Sequence, residues 1–434
     1  MRATLVAALL LVAGVAHASP IEIYGFDARG VGMGNAQVAV SDDFSAVFYN
    51  PAGLTRRRHV TAGAGFLATF PRFDVQFDRP ETIAPHEPED FAGFMIGAAF
   101  PLGGGISDRL AIGFAAYVPT ANLARGEVID PVVPQFTRYQ NLPDKFVVLA
   151  ALAGRITDWL SVGGGVQVLA ALEGGLDLEI ELANRRVTSQ AIGVDVPLVA
   201  SPTAGLRVDP MDDLSFGLTW RGAIRLTYAL PSRILIDDLV SLDLDLRGNV
   251  LFTPATVNFG GAYRIAPADL RIAVDVARVF WSEAPDPTPQ IAINLEGTLL
   301  DGLGLEDRFD IGSGAPVELA YRDVTEVHVG VEHQTLSWLT LRAGYTWRPT
   351  PAPVPTQTNN YIDNDAHVLA FGLGVTFADP MEVHDSPLSL DISWQTALLA
   401  EQRVDKANGE ADPVGGYTAS GAAHALIISF RHDL

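Results

Sequence analysis

Trp338-Leu339-Thr340-Leu341-Arg342-Ala343-Gly344-Tyr345-Thr346-Trp347-Arg348 is the stretch on which the fold turns. Leu339, Leu341, Ala343, Tyr345 and Trp347 share one phase of a period-two pattern, and Thr340, Arg342, Gly344, Thr346 and Arg348 share the other. An extended chain sends these two sets to opposite faces. One face is apolar and the other small or polar over about ten residues, which is what a strand crossing a bilayer in a closed barrel requires. Leu214, Phe216, Leu218 and Trp220 alternate in the same way with Ser215, Gly217, Thr219 and Arg221. The rhythm returns at 160–168, 270–276 and 388–395. Soluble sandwiches also alternate, but here Trp159, Trp220, Trp338, Trp347 and Trp394 lie near strand ends, as interfacial girdle residues do.

Carried along the chain, the pattern predicts fourteen strands centred near residues 68, 96, 114, 149, 166, 200, 221, 259, 276, 328, 343, 372, 393 and 426. Short connections at 102–108, 155–158, 209–213, 266–269 and 334–337 alternate with long ones at 78–90, 119–142, 173–190, 231–252, 283–320, 349–365 and 399–419. Short periplasmic turns alternating with long external loops is the habit of outer-membrane barrels, and an even strand number returns both ends to the periplasm. The fold class expected is therefore all-β, a transmembrane antiparallel barrel of about 14 strands. Two apolar segments, 234–246 and 291–300, fall outside this count and are assigned to long loops; a fifteenth strand is the alternative for the first.

Composition narrows the function classes. A net charge of −22 argues against nucleic acid as a partner. Hydrophobic residues make up 48% of the chain against 18% charged, the reverse of a disordered composition. Cysteine is absent, which excludes disulfides and thiolate metal sites. Met1 and Arg2, an apolar run over 5–15 and Ala16-His17-Ala18 read as a secretory signal over 1–18, cleaved after Ala18. The histidines are scattered, and neither Gly-x-Ser-x-Gly nor His-Glu-x-x-His occurs, so no catalytic set, metal site or cofactor is expected.

Residues 19–57 break the period-two rhythm. The run from Gly25 to Gly34 is too rich in glycine for a strand. Asp42 is placed to cap a short helix through Val47, and Asn50, preceding Pro51, should turn the chain. A compact plug over 19–57 followed by a barrel over 58–434 is the domain division expected. The glycine-rich opening, Asp42-Asp43 and above all Tyr49-Asn50-Pro51-Ala52-Gly53-Leu54 resemble the hatch of the FadL-type family of outer-membrane transporters for long-chain fatty acids and other hydrophobic compounds. Trp159-Leu160-Ser161-Val162-Gly163, the run from Leu339 to Tyr345 and the prolines of 351–355 extend the resemblance over essentially the whole mature chain. The chain departs from outer-membrane barrels that end on an aromatic residue, finishing Phe430-Arg431-His432-Asp433-Leu434.

The resemblance implies a hatch inside the lumen bearing Asn50, Pro51, Ala52 and Gly53, capture at an external groove, transfer to a lumen pocket, and lateral escape at a kinked third strand. Leu235, Ile236, Leu239, Val240 and Leu242 are too apolar for a solvated loop and are nominated for the groove. Gly113 with Pro119 could supply the kink, the alternative being that Gly113 is a small lumen-facing residue. Arg221, Arg271, Asp275, Glu326, His328, Glu332 and Arg342 fall on the inward phase, most of them expected to anchor the hatch. Arg342 and Arg221 are the candidates for meeting a ligand headgroup. The expected partners are a fatty acid or aromatic hydrocarbon, outer-membrane lipid and lipopolysaccharide, and the barrel-insertion machinery, with the barrel acting as a monomer. A non-specific porin and a surface adhesin are the competing readings.

Overall fold

The computed structural model describes residues 20–80, 83–102, 109–121, 129–139, 146–170, 173–181, 186–195, 198–236, 240–285, 290–296, 319–379 and 386–434. The signal segment over 1–18 and Leu239 lie outside them. Fourteen strands close into one antiparallel barrel. They are β1 (Thr61–Phe77), β2 (Phe91–Pro101), β3 (Leu110–Pro119), β4 (Val147–Arg155), β5 (Leu160–Ala170), β6 (Leu198–Met211) and β7 (Leu214–Arg221). The second half comprises β8 (Thr256–Ile265), β9 (Leu270–Val279), β10 (Val324–Leu336), β11 (Leu339–Arg348), β12 (Ala366–Phe377), β13 (Leu388–Val404) and β14 (Tyr417–Asp433). Each expected strand centre falls within one of them. Thr61 stands opposite Asp433 and Phe77 opposite Tyr417, so β14 closes on β1, with the start of β1 and the end of β14 at the rim of short turns.

The alternation read from sequence is the alternation of burial. Phe94, Ile96, Phe114, Leu152, Leu218, Phe259 and Phe371 are exposed on the outer wall, where only hydrocarbon makes such a surface stable, while Ser215, Thr219, Thr346 and Ser393 are buried inside. Trp159 and Trp338 are exposed at the short-turn rim, the position of a girdle residue.

Where they are described, the apolar segments left over from the count are strands, not coil. Ile224–Ile236 and Val240–Thr253 form a hairpin in a separate five-stranded sheet with Gln290–Glu296, Glu173–Glu181 and Arg186–Asp195. Extended backbone divides the nominated groove residues between two faces. Val240 stands opposite Ile236, and Leu242 opposite Ile234, on one face; Leu235 pairs with Ser241 on the other, beside the Arg233–Asp243 ion pair of 2.7 Å. The register also brings Leu295 and Leu178 to positions on the Ile234 face, which the sequence had not connected to it.

β3 is not bulged. Its ladders with β2 and β4 run through Gly113 without a register shift, so that glycine does not bend the wall. Gln135–Phe136 pairs in parallel with Tyr361–Ile362 and draws the 129–139 segment inward from the long-loop side.

Candidate functional site

Residues 20–57 lie inside the barrel as three short helices, α1 (Pro20–Tyr24), α2 (Ala28–Gly32) and α3 (Ala46–Tyr49), followed by a 3-10 turn over Pro51–Thr55. Nearly all of them are buried. Asn50 is extended as expected before proline, and its side chain ties the turn together. Its Nδ2 donates to the Val38 carbonyl at 2.7 Å and to the Leu206 carbonyl of β6 at 3.1 Å, while its Oδ1 accepts from the Ala52 amide at 3.1 Å. Helix α3 begins later than the sequence indicated. Asp43, not Asp42, accepts from the Ser45 amide, at 2.9 Å, because Asp42 is drawn away to Arg29 at 2.7 Å and Arg57 at 3.3 Å.

The wall makes room for this segment with a belt of glycines. Gly63 faces Gly97, Gly163 faces Gly205, Gly217 faces Gly260 and Gly330 faces Gly344 across neighbouring strands. A Cβ at any of them would strike the hatch or the groups that hold it. The obstacles are the Phe44 ring for the first pair, Asn50, Pro51 and Ala52 for the second, Val38 for the third, and Met33 with Gly34 for the fourth. Gly113 belongs to the same belt, since a side chain there would meet Val47 and Leu54. Gly34 sits at φ +62°, where a side chain is strained, and its carbonyl accepts from Thr346 at 2.8 Å.

Charges complete the attachment. Below the hatch, Arg29 reaches Glu332 at 3.0 Å, Glu332 also meets Arg271 at 2.6 Å and Arg342 at 2.9 Å, and Arg431 meets Asp43 at 2.9 Å. The Arg29 and Arg57 guanidiniums outweigh burial and hold the Asp42 carboxyl well below its ordinary value; Arg431 does the same, more weakly, for Asp43. Asp27 goes the other way. Burial first, then the charges of Asp43 and Asp391, pushes its carboxyl up to about 6.

Arg342 and Arg221, nominated for a ligand headgroup, are committed to the protein. Arg342 also donates to Asp391 at 2.5 Å, and its side chain is only 7% exposed. Arg221 donates to Glu22 at 2.5 Å and to the Phe48 carbonyl at 2.7 Å, with its guanidinium 4.3 Å from the Phe48 ring centre. Both are hatch anchors, because a buried guanidinium takes the carboxylates already within reach. Above the hatch, Arg138 grips Asp363 at 2.9 Å and Glu326 at 3.5 Å. A cavity of about 120 Å³ lies between this clasp and the hatch, lined by residues of both and by β8, β9 and β10.

A closed barrel with an apolar outer wall and a lumen filled by its own N-terminal segment defines an outer-membrane β-barrel of the plugged kind. Residues 9–433 match the family described as outer membrane protein transport protein (OMPP1/FadL/TodX), and the chain belongs to that family. It is 22% identical to alkane uptake protein A of Marinobacter nauticus over 422 residues, 92% of this chain and 86% of the relative. Among solved structures it resembles a Pseudomonas aeruginosa FadL homologue, with TM-score 0.61, 14% identity and coverage of 94% of this chain and 98% of the other. It also resembles the P. putida toluene transporter TodX, with TM-score 0.57, 16% identity and coverage of 95% and 99%.

Proposed function

We propose that this protein is a passive outer-membrane channel for hydrophobic small molecules, held shut by residues 20–57 and discharging its cargo sideways rather than through the periplasmic mouth. The observation that carries the reading is the filled lumen: the hatch meets the inward side of the wall along a belt of glycines that leaves no room for side chains. A non-specific porin needs an open aqueous path, and such a plug defeats it. The names of similar proteins, an alkane uptake protein and a toluene transporter, support an apolar cargo.

The five-stranded sheet at the long-loop side supplies a capture surface, with Ile234 and Leu242 on one face. Burying each methylene there is worth about 0.8 kcal/mol, enough to draw a greasy solute from water. Sideways release has support in the wall beside β3. Its ladder with β4 stops at Tyr117–Val147 while that with β2 continues to Pro119, and β2 to β5 have 9 to 11 residues against 17 in β1, β13 and β14. Pro119 thus marks the end of a paired wall, not a kink within it.

The test is uptake of radiolabelled hexadecane, toluene and oleate by cells lacking their own transporter, with and without this protein. Saturable uptake of one or more, without entry of a small sugar, is the expected outcome. Sugar entry with no hydrophobic uptake would return the protein to the porin reading.

A further inference from the structure

The cavity between hatch and clasp is not lined as a hydrocarbon pocket would be. Six buried side-chain atoms on its lining residues have no hydrogen-bond partner: Glu22 Oε1, Thr253 Oγ1, Asn258 Oδ1, Asp275 Oδ1, Trp281 Nε1 and Arg348 Nη1. Thr253, Asp275, Trp281 and Arg348 are each less than 5% exposed. Buried polar atoms are normally paired, so this concentration in one cavity marks a place built for an occupant that hydrogen-bonds. An alkane end would leave all six unsatisfied.

The occupant's charge can be read from the same wall. The arginines near the cavity already have anionic partners: Arg221 has Glu22 at 2.5 Å, Arg138 has Asp363 at 2.9 Å, and Arg348 has Glu326 at 3.8 Å. Asp275 is in none of the ion pairs among the described residues. Its Oδ2 accepts from the Val38 amide at 2.9 Å, and its Oδ1, in no more than a marginal contact with the Gln37 amide, keeps acceptor capacity to spare. A carboxylate head would bring two more acceptors against Asp275 and Glu22 and find no cation without a carboxylate of its own. A hydroxyl donates once, accepts up to twice and carries no charge, and so matches a wall that mixes acceptors with the Trp281 and Arg348 donors. Ile21, Val38 and Phe48 also line the cavity, which covers the carbons next to such a hydroxyl.

We propose that this cavity receives the neutral hydroxyl end of an amphiphile, a long-chain alcohol or an alkylphenol, in preference to a fatty-acid carboxylate or an unsubstituted hydrocarbon. The proposal rests on the reading of the protein as a channel for hydrophobic compounds and names which of them it favours. Asp275 and Trp281 are then specificity residues as well as parts of the wall.

The full chain in lipid nanodiscs is tested for equilibrium binding of tritiated decan-1-ol, decane and decanoate at pH 7.5, with empty nanodiscs subtracted. Decan-1-ol is expected to bind at least about tenfold more tightly than either of the others. Asp275→Asn keeps an oxygen for the Val38 amide while turning the spare acceptor into a donor, and should bring the alcohol within about threefold of the alkane. Trp281→Phe is the second variant, removing one donor and leaving the Val38 contact untouched. It should weaken the alcohol while leaving the alkane unchanged. Equal affinity for alcohol and alkane, or tightest binding of decanoate, overturns the hydroxyl assignment and leaves the channel reading standing. Binding of none of the three overturns both.

Discussion

Asn50 shows how much one side chain can carry. It is fully buried, and three hydrogen bonds from its amide join the 3-10 turn, the Val38 segment and β6. Asn50→Ala leaves the Val38 carbonyl and the Ala52 amide without partners, removes the tie to the Leu206 carbonyl, and should loosen the hatch by about 2–3 kcal/mol. Susceptibility of cells to a large polar antibiotic checks this, and is expected to rise. Asp27 makes a prediction of opposite kind. Its carboxyl is pushed up to about 6 from an ordinary value of 3.8, so the folded hatch favours its neutral form. Stability from this residue is full below about pH 4 and is lost as pH rises through 6, a change on the order of 3 kcal/mol. Asp42 and Asp43, held low by arginines, oppose this slope below about pH 5, where their unfolded carboxyls take up protons and the folded ones do not, and leave it unopposed above. Hydrogen exchange in α2, corrected for intrinsic rates, should therefore be slower at pH 4.5 than at pH 7.5, and Asp27→Asn should abolish the difference.

Strands of this barrel do two jobs with one alternation. The outward phase meets lipid, and the inward phase alternates anchoring side chains with glycines that let the hatch backbone come close. Gly344 is the tightest case, since a Cβ there would overlap the Gly34 amide and the Met33 carbonyl carbon. Gly344→Val suits the β-conformation of β11 and should leave barrel closure intact, seen as unchanged heat-modifiable mobility on a gel. The hatch has no space to return to, and cleavage within residues 20–57 by an added protease should speed up at least about tenfold. Cleavage no faster than in the unaltered protein would mean that the belt tolerates side chains and that the fit is looser than its contacts imply.

The whole molecule is a charged tube around a charged plug. Arg155, Arg207, Arg221, Arg271, Arg342, Arg348 and Arg431 all point inward to the hatch or its anchoring carboxylates, and they slightly outnumber the wall acids among them, Asp209, Asp275, Glu326, Glu332, Asp391 and Asp433. Deleting residues 20–57 while keeping residues 1–19 should therefore turn a silent protein into an open pore that passes chloride in preference to potassium. Single-channel recording under a potassium chloride gradient gives the sign directly. Cation preference would show that the inward arginines are neutralised by something other than the hatch.

Much of this architecture was legible in the chain because bilayer physics writes it there. A lipid-facing wall demands period two, so Leu214–Arg221 and the 338–348 stretch announce themselves, and short turns alternating with long loops fix the strand count and the rim. The turn at Asn50-Pro51 was equally readable, since proline restricts the residue before it. Register was not. That Gly163 faces Gly205, that Leu235 leaves the face of Ile236, or that Arg342 is already taken by Glu332 and Asp391 depends on which residues stand opposite one another around a closed ring. Those neighbours are tens to hundreds of positions apart, and only closure of the barrel around the hatch brings them within reach.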